Sequence, residues 1–369
     1  CARQASWASN PARDSTRTNV EANEYMARIS GRLSSIKPSG VRELFDLAGR
    51  YPDVVNLTLG EPDAATPANV RDAARRALEE GFTHYTPNAG LPELRRAISE
   101  RYARDYGAHV DQEEVLVTQG GSQAILEAMA AVMDEGDSVL VPTPAFVGYA
   151  GAASLLGIRT IEVETSADGG FTPTIDSLRA AADGRTRAII VNSPGNPTGA
   201  VYDRRVIEEI ISFAEERDLW IISDEVYEKF IYGAEFVSLS SFDRDVRGRT
   251  IIVNSFSKTY AMTGWRLGYM IAPKSVVEAA VKFQMYEAVC PSSIAQRAAV
   301  EALRGPQDFT SSYVAEVGRR LDYAYSRLSS MRGVRVVRPR GAFYIFPRID
   351  LGMSSAELAR ALIQEERVA

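Results

Sequence analysis

Six short apolar runs, separated by helical patterns, constrain this chain more than any other feature. They are Val115-Leu116-Val117, residues 138–141, Ile161-Glu162-Val163, and residues 188–191, 219–223 and 250–253. Each is too short for a helix, and residues 188–191 are apolar throughout, as expected of a strand inside a parallel sheet. Helical stretches read at 92–106, ahead of the first run, and between later runs at 123–133, which is apolar, and 204–217. An earlier one, 67–80, carries Val70, Ala73, Ala74, Ala77 and Leu78 as one stripe and is stopped by Gly81. Strand and helix in alternation predict a parallel sheet covered by helices. Residues 41–49 read as a helix and 54–59 as a strand ending at Gly60. Past about residue 300 the pattern changes to a long helix at 310–330 and strands at 334–337 and 342–346. That shift predicts a second, smaller domain, which the N-terminal part joins.

At 369 residues the chain can bury a core for both domains, and 45% hydrophobic with 24% charged residues describes an ordinary globular composition. A net charge of -6 without any Lys/Arg block argues against a nucleic-acid partner. No apolar run approaches the roughly 18 residues of a membrane helix. The two cysteines, Cys1 and Cys290, have neither metal-ligand nor disulfide-framework spacing, so no metal is expected and a cytoplasmic compartment is the simplest inference. Residues 1–25 precede the first methionine, Met26, and read as a disordered leader.

The chemistry is concentrated in Asn254-Ser255-Phe256-Ser257-Lys258-Thr259-Tyr260-Ala261-Met262-Thr263-Gly264-Trp265-Arg266-Leu267-Gly268-Tyr269. Two hydroxyls, a lysine and an arginine share one short segment after an apolar run. The set suits an aldehyde cofactor with a phosphate tail: the amine condenses with the aldehyde, and hydroxyls with guanidinium take the dianion. The segment resembles the lysine motif of the class I/II aminotransferases, which bind pyridoxal 5'-phosphate on fold type I. Similar runs are Ser39-Gly40-Val41-Arg42, Thr143-Pro144-Ala145-Phe146, Lys282-Phe283-Gln284-Met285-Tyr286 and Gly341-Ala342-Phe343-Tyr344-Ile345-Phe346-Pro347, so the resemblance covers residues 26–369. Within the family it is nearest the archaeal and bacterial aromatic and aspartate enzymes.

The resemblance implies an α/β fold: a large domain (71–300) with a mostly parallel seven-stranded sheet flanked by helices, and a smaller α+β domain (301–369) that residues 26–70 join. Lys258 would condense with the cofactor and carry a proton at the substrate α-carbon, which requires an amine with a depressed pKa. Asp224 follows the run 219–223, so its carboxylate would stand at a strand's C-terminal end, where open α/β sheets bind ligands, and would hold the pyridine nitrogen. Tyr227 and Asn196 would donate to the phenolic oxygen. Asn196 alone, in Asn192-Ser193-Pro194-Gly195-Asn196-Pro197-Thr198-Gly199, reads equally as a turn residue. Its order and spacing before Asp224 and Lys258 match the family.

For the phosphate, Gly121, Ser122 and Gln123 open a helix whose free amide groups face an anion, and Ser255, Ser257 and Arg266 complete a cup. Phe146 would pack on one ring face. By resemblance, Gly60 meets the substrate carboxylate and Tyr85 reaches the phosphate of a neighbouring subunit, which implies a homodimer with shared active sites. Amino-acid and 2-oxo-acid substrates follow. A family arginine that grips the substrate carboxylate lies after a Pro-Gly and Phe-Gly loop. The sequence stops at Ala369 before such a loop, and Arg340 and Arg348 do not match the motif. The expectation is a part of a longer protein, or a catalytically crippled one.

Three other readings compete with this one. A carbon–sulfur lyase on the same scaffold shares the cofactor cup and differs in its products. A non-enzymatic cofactor-sensing regulator needs a DNA-binding domain that residues 1–25 are too few to form. A plain dinucleotide-binding protein needs a G-x-G-x-x-G after its first strand, and this chain has none there.

Overall fold

The computed structural model describes residues 40–369, together with Ser30, Gly31 and Leu33. Of these, residues 40–369 belong to one compact unit. The expectations for residues 1–25 and for Cys1 lie outside the described residues.

Seven strands form one sheet: β1 (Val115–Thr118), β2 (Ser138–Thr143), β3 (Arg159–Glu164), β4 (Thr186–Asn192), β5 (Trp220–Asp224), β6 (Thr250–Ser255) and β7 (Gly268–Ile271). Their order is β1-β7-β6-β5-β4-β2-β3. Neighbours from β3 to β6 pair in parallel, while β7 runs antiparallel to both β1 and β6. The mostly parallel sheet is therefore as expected. β7 is the strand the apolar runs do not reveal; its first two residues, Gly268 and Tyr269, are the last two of the Lys258 motif.

Period-two alternation explains why the strands are apolar on both sides. Ala188, Ile190, Ile222, Ile251 and Val253 pack with residues of the helices Gly121–Val132, Gly148–Leu155 and Lys274–Glu287. Val115, Val117, Ile252, Tyr269 and Ile271 point the other way, toward Ala68–Glu79, Pro92–Tyr106 and Ser293–Arg304. Further along that second face, Ile189, Val191 and Ile221 meet Ile175–Ala181 and Arg204–Arg217. With helices on both faces the strands have no wet side, so the catalytic groups can only sit at the strand ends.

Pro92–Tyr106 begins with Pro at its first turn and ends at Gly107, φ 65°. Three expectations are corrected. Leu78 is 54% exposed, because the buried stripe of Ala68–Glu79 is Val70, Ala73, Ala74 and Ala77, and Leu78 lies a further 100° or so round the helix. Residues 54–59 form no strand: Val55 makes a single parallel bridge with Val368. Nor do residues 342–346. Gly341 bridges Ile231, Ala342 takes φ 57°, and the chain turns inward there. Extended pairing resumes in β9 (Pro347–Ile349), antiparallel to β8 (Val334–Val336).

Candidate active site

The ends of β4, β5 and β6 open into one cavity of about 560 Å³, within the usual size for a small-molecule site. Lys258 and Asp224 both line it. So do Gly60, Gly121, Ser122, Phe146, Asn196, Tyr227, Ser255, Ser257 and Arg266.

One end of the cavity is built for an anion. Ser255 ends β6 and caps the short helix Phe256–Thr259, its Oγ accepting from Ser257 N at 3.1 Å. The Ser255 and Ser257 hydroxyls are 2.9 Å apart, and Ser255 Oγ also donates to Leu267 O. Opposite them the helix Gly121–Val132 begins, and its first-turn amide groups have no acceptor within the helix. Arg266, at φ 52°, is folded back so that its guanidinium faces Gly120. A Cβ on Gly120, where φ is 87°, would lie 2.6 Å from Arg266 Nη2. A Cβ on Gly268 would lie 2.6 Å from the Gly120 carbonyl carbon. Two bare backbone positions thus let β7, the helix start and the arginine close on one cradle. Hydroxyls, amide groups and a guanidinium are the donor set a phosphate dianion requires.

The middle of the cavity is polar below and aromatic at the side. Asp224 ends β5 and is 4% exposed. Tyr149 donates its hydroxyl proton to Asp224 Oδ2 at 2.7 Å, and Val226 N donates to Oδ1 at 3.3 Å. Burial pushes the Asp224 carboxyl up to about 6, against these two hydrogen bonds and the Lys258 charge, which lower it. Asn192 donates to Asp224 O and accepts from Asn196 N, fixing the loop that carries Asn196. Phe146 packs edge-on against Tyr149, with centroids 5.5 Å apart. Glu228, next to Tyr227, is buried against Arg101 and Tyr106 on the far side, which anchors the turn after β5.

At the open end stands Lys258. Its Nζ donates to Gly60 O and lies 5.9 Å from the Tyr227 ring centre and 5.5 Å from that of Phe343. Burial lowers its pKa to about 8, and the Arg266 charge lowers it too, while Glu61 and Asp224 oppose the shift. Such an amine is largely neutral at mildly alkaline pH, as a nucleophile must be. Tyr227 Oη is 2.6 Å from Tyr344 Oη.

Two expected residues lie elsewhere. Gln123 is buried, its carboxamide donating to Glu287 and accepting from Gln119 N, and it does not line the cavity. Tyr85 is 86% exposed and also outside the cavity. Conversely, Tyr149, Tyr344, Asn192 and Glu61 line the cavity although no role was read for them. Tyr149 gives no signal in sequence beyond standing three residues after Phe146; Asn192, Glu61 and Tyr344 do lie in runs that carry the resemblance.

Among the described residues no helix is long and apolar enough to cross a membrane, and no three His, Cys, Asp or Glu side chains are grouped to hold a metal.

Comparison with known proteins gives a consistent outcome. The family model for aminotransferase class I and II matches residues 52–369. An aspartate aminotransferase of Pyrococcus abyssi is 45% identical over 346 residues, 92% of this chain and 88% of that protein. Aromatic-amino-acid aminotransferase 2 of Thermococcus litoralis is 44% identical over 345 residues, with the same coverage of 92% and 88%. Among solved structures, an aspartate aminotransferase from Thermus thermophilus with maleate superposes with a TM-score of 0.87 at 39% identity, covering 93% of this chain and 91% of that one.

Proposed function

The chain belongs to the class I and II aminotransferases, and on that premise we propose that it moves the amino group of an aromatic L-amino acid, or of aspartate or glutamate, to a 2-oxo acid such as 2-oxoglutarate. The observation that carries the reading is the meeting of the Lys258 amine, the Asp224 carboxyl and the Ser255–Ser257–Arg266 cup in one cavity. The family uses pyridoxal 5'-phosphate, which supplies, when bound, an aldehyde that condenses with amines and a protonated ring that draws electrons from the substrate α-carbon.

Each residue then has a task set by its surroundings. Arg266, Ser255, Ser257 and the amide groups at Gly121 and Ser122 would hold the phosphate. Asp224 would face the ring nitrogen; a cation beside it favours its ionised form, and Tyr149 holds its orientation. Tyr227 and Asn196 would donate to the phenolic oxygen, and Phe146 would cover one face of the ring. Lys258, neutral above about pH 8, would take the proton from the substrate α-carbon and carry it through the 1,3-shift that transamination requires. Gly60 would meet the substrate carboxylate with its amide. Tyr85, exposed and not lining the cavity, would serve from a second copy of the chain, making the enzyme a homodimer. The two cysteines accord with a reducing, cytoplasmic setting.

The test is the visible spectrum of the purified protein with pyridoxal phosphate. We expect a band that Lys258→Ala abolishes, and bleaching on adding tyrosine or glutamate with release of the matching 2-oxo acid. A band unaffected by Lys258→Ala would overturn the assignment of the lysine, and release of pyruvate and ammonia would mark a lyase instead.

A further inference from the structure

We propose that Tyr344 is a positioning residue for this reaction: its hydroxyl donates to Tyr227 Oη, so that the Tyr227 proton is committed to the acceptor inside the cavity. The inference rests on the reading of Tyr227 as the donor to the cofactor's phenolic oxygen.

The two hydroxyl oxygens are 2.6 Å apart, at the short end of ordinary O–H···O bonds. Each phenol has one proton to give and can accept, so the pair has two directions. If Tyr227 donates to Tyr344, nothing is left for the cavity, and the Tyr344 proton points toward Gly60. A Cβ built on Gly60 would lie 2.3 Å from Tyr344 Oη, so the hydroxyl rests on that backbone, whose carbonyl already accepts from Lys258 Nζ. If Tyr344 donates, both protons find acceptors once the cavity provides one. A buried hydroxyl without an acceptor is costly, so the second direction prevails when the site is filled.

The direction has a chemical consequence. A hydroxyl that accepts a hydrogen bond becomes a stronger donor. Tyr344 would therefore strengthen Tyr227's hold on the cofactor's phenolic oxygen in its anionic form and lower the pH at which the cofactor-loaded protein's visible band titrates. Burial keeps both phenols protonated in the working range, with Tyr344 pushed up to about 12. The titratable groups that act on the pair are Asp224 from β5, Tyr149 from the helix Gly148–Leu155 and Lys258, whose own charge neighbours are Glu61 and Arg266. All remain in place when Tyr344 alone is changed.

The experiment is a pH titration of the visible band of the cofactor-loaded protein. Tyr344→Phe should move its midpoint to higher pH by roughly half a unit or more, as expected for one lost hydrogen bond. Replacing Tyr344 by 3-fluorotyrosine, a stronger donor of the same shape, should move it to lower pH. This second variant carries the test if the phenylalanine protein fails to fold. In a Tyr227→Phe background, Tyr344→Phe should add nothing. A midpoint unmoved by fluorination, or moved equally with and without Tyr227, overturns the proposal. Absence of the band in the unaltered protein overturns the underlying reading and the proposal with it.

Discussion

The cavity joins two regions held by different forces. On the strand side, Asp224, Ser255, Ser257 and Lys258 stand at or just beyond the ends of β5 and β6, whose backbones are paired on both sides within the sheet. On the other side, residues 58–63 lie outside any helix or strand. Side-chain tethers hold them. Thr263 Oγ1 donates to Glu61 Oε2 at 2.8 Å, and Tyr313 and Arg320 both donate to Asp63 at 2.9 Å. The Asp63–Arg320 pair is more than half exposed on each side, and such pairs are worth only about 0–1 kcal/mol. The contrast teaches that the groups assigned to the cofactor are fixed by the core. The strip beside Gly60, assigned to the substrate, can adjust at little cost.

The largest expected effect falls on the strand side. Asp224→Asn should lower transamination by on the order of 10³-fold, in the range seen when a transition-state charge partner is removed. It should also stabilise the cofactor-free protein. The folded-state pKa of Asp224, about 6, exceeds the ordinary 3.8, so the folded chain binds the extra proton between those values and stability falls as pH rises through them. Above pH 6 the full cost is about 3 kcal/mol by this linkage, and Asn removes it. Urea unfolding at pH 8 and pH 4 checks the sign: the gain should be present at pH 8 and mostly lost at pH 4. An Asn protein less stable at pH 8 would show that the Asp224 charge is well accommodated by the core.

Next comes the cup. Arg266→Ala should weaken pyridoxal phosphate binding by roughly 10–100-fold, the worth of one charge-assisted contact to a dianion, while the KM for the amino acid changes little. Equilibrium dialysis of the cofactor and steady-state kinetics measure the two separately.

The smallest effect belongs to the rim. Thr263→Val or Glu61→Gln should change KM a few-fold and leave cofactor affinity intact. Glu61 raises the Lys258 pKa, so Glu61→Gln should also shift the amine's midpoint below about 8, read from the pH dependence of cofactor capture by the cofactor-free protein. Rim variants that lose cofactor as strongly as Arg266→Ala would break the comparison.

Where the sequence was legible, the signal was local. The helix Pro92–Tyr106 has its start and stop written at its own ends, in Pro92 and Gly107, and the Lys258 segment carries five cavity-lining residues within twelve positions. Less legible are residues whose place depends on distant partners. Residues 342–346 have the apolar, aromatic composition of a strand, yet Phe343 and Tyr344 join a cluster with Tyr227 and Phe230 instead. Gln123 stands beside two residues that face the cavity, but a glutamate 164 positions away takes its side chain. Helical rotation of about 100° per residue is enough to separate it from Ser122.

By itself the sequence determined the kind of sheet, the chemistry of the cup and the order of the reacting groups, because each depends on periodicity or on residues a few positions apart. Only the tertiary structure decided which groups complete the site. Tyr149 reaches Asp224 across 75 positions, Tyr344 reaches Tyr227 across 117, and the Gly60 carbonyl meets Lys258 across 198. Such contacts arise from the packing of separate segments, and a hydroxyl's partner in a packed interior leaves no periodic trace along the chain.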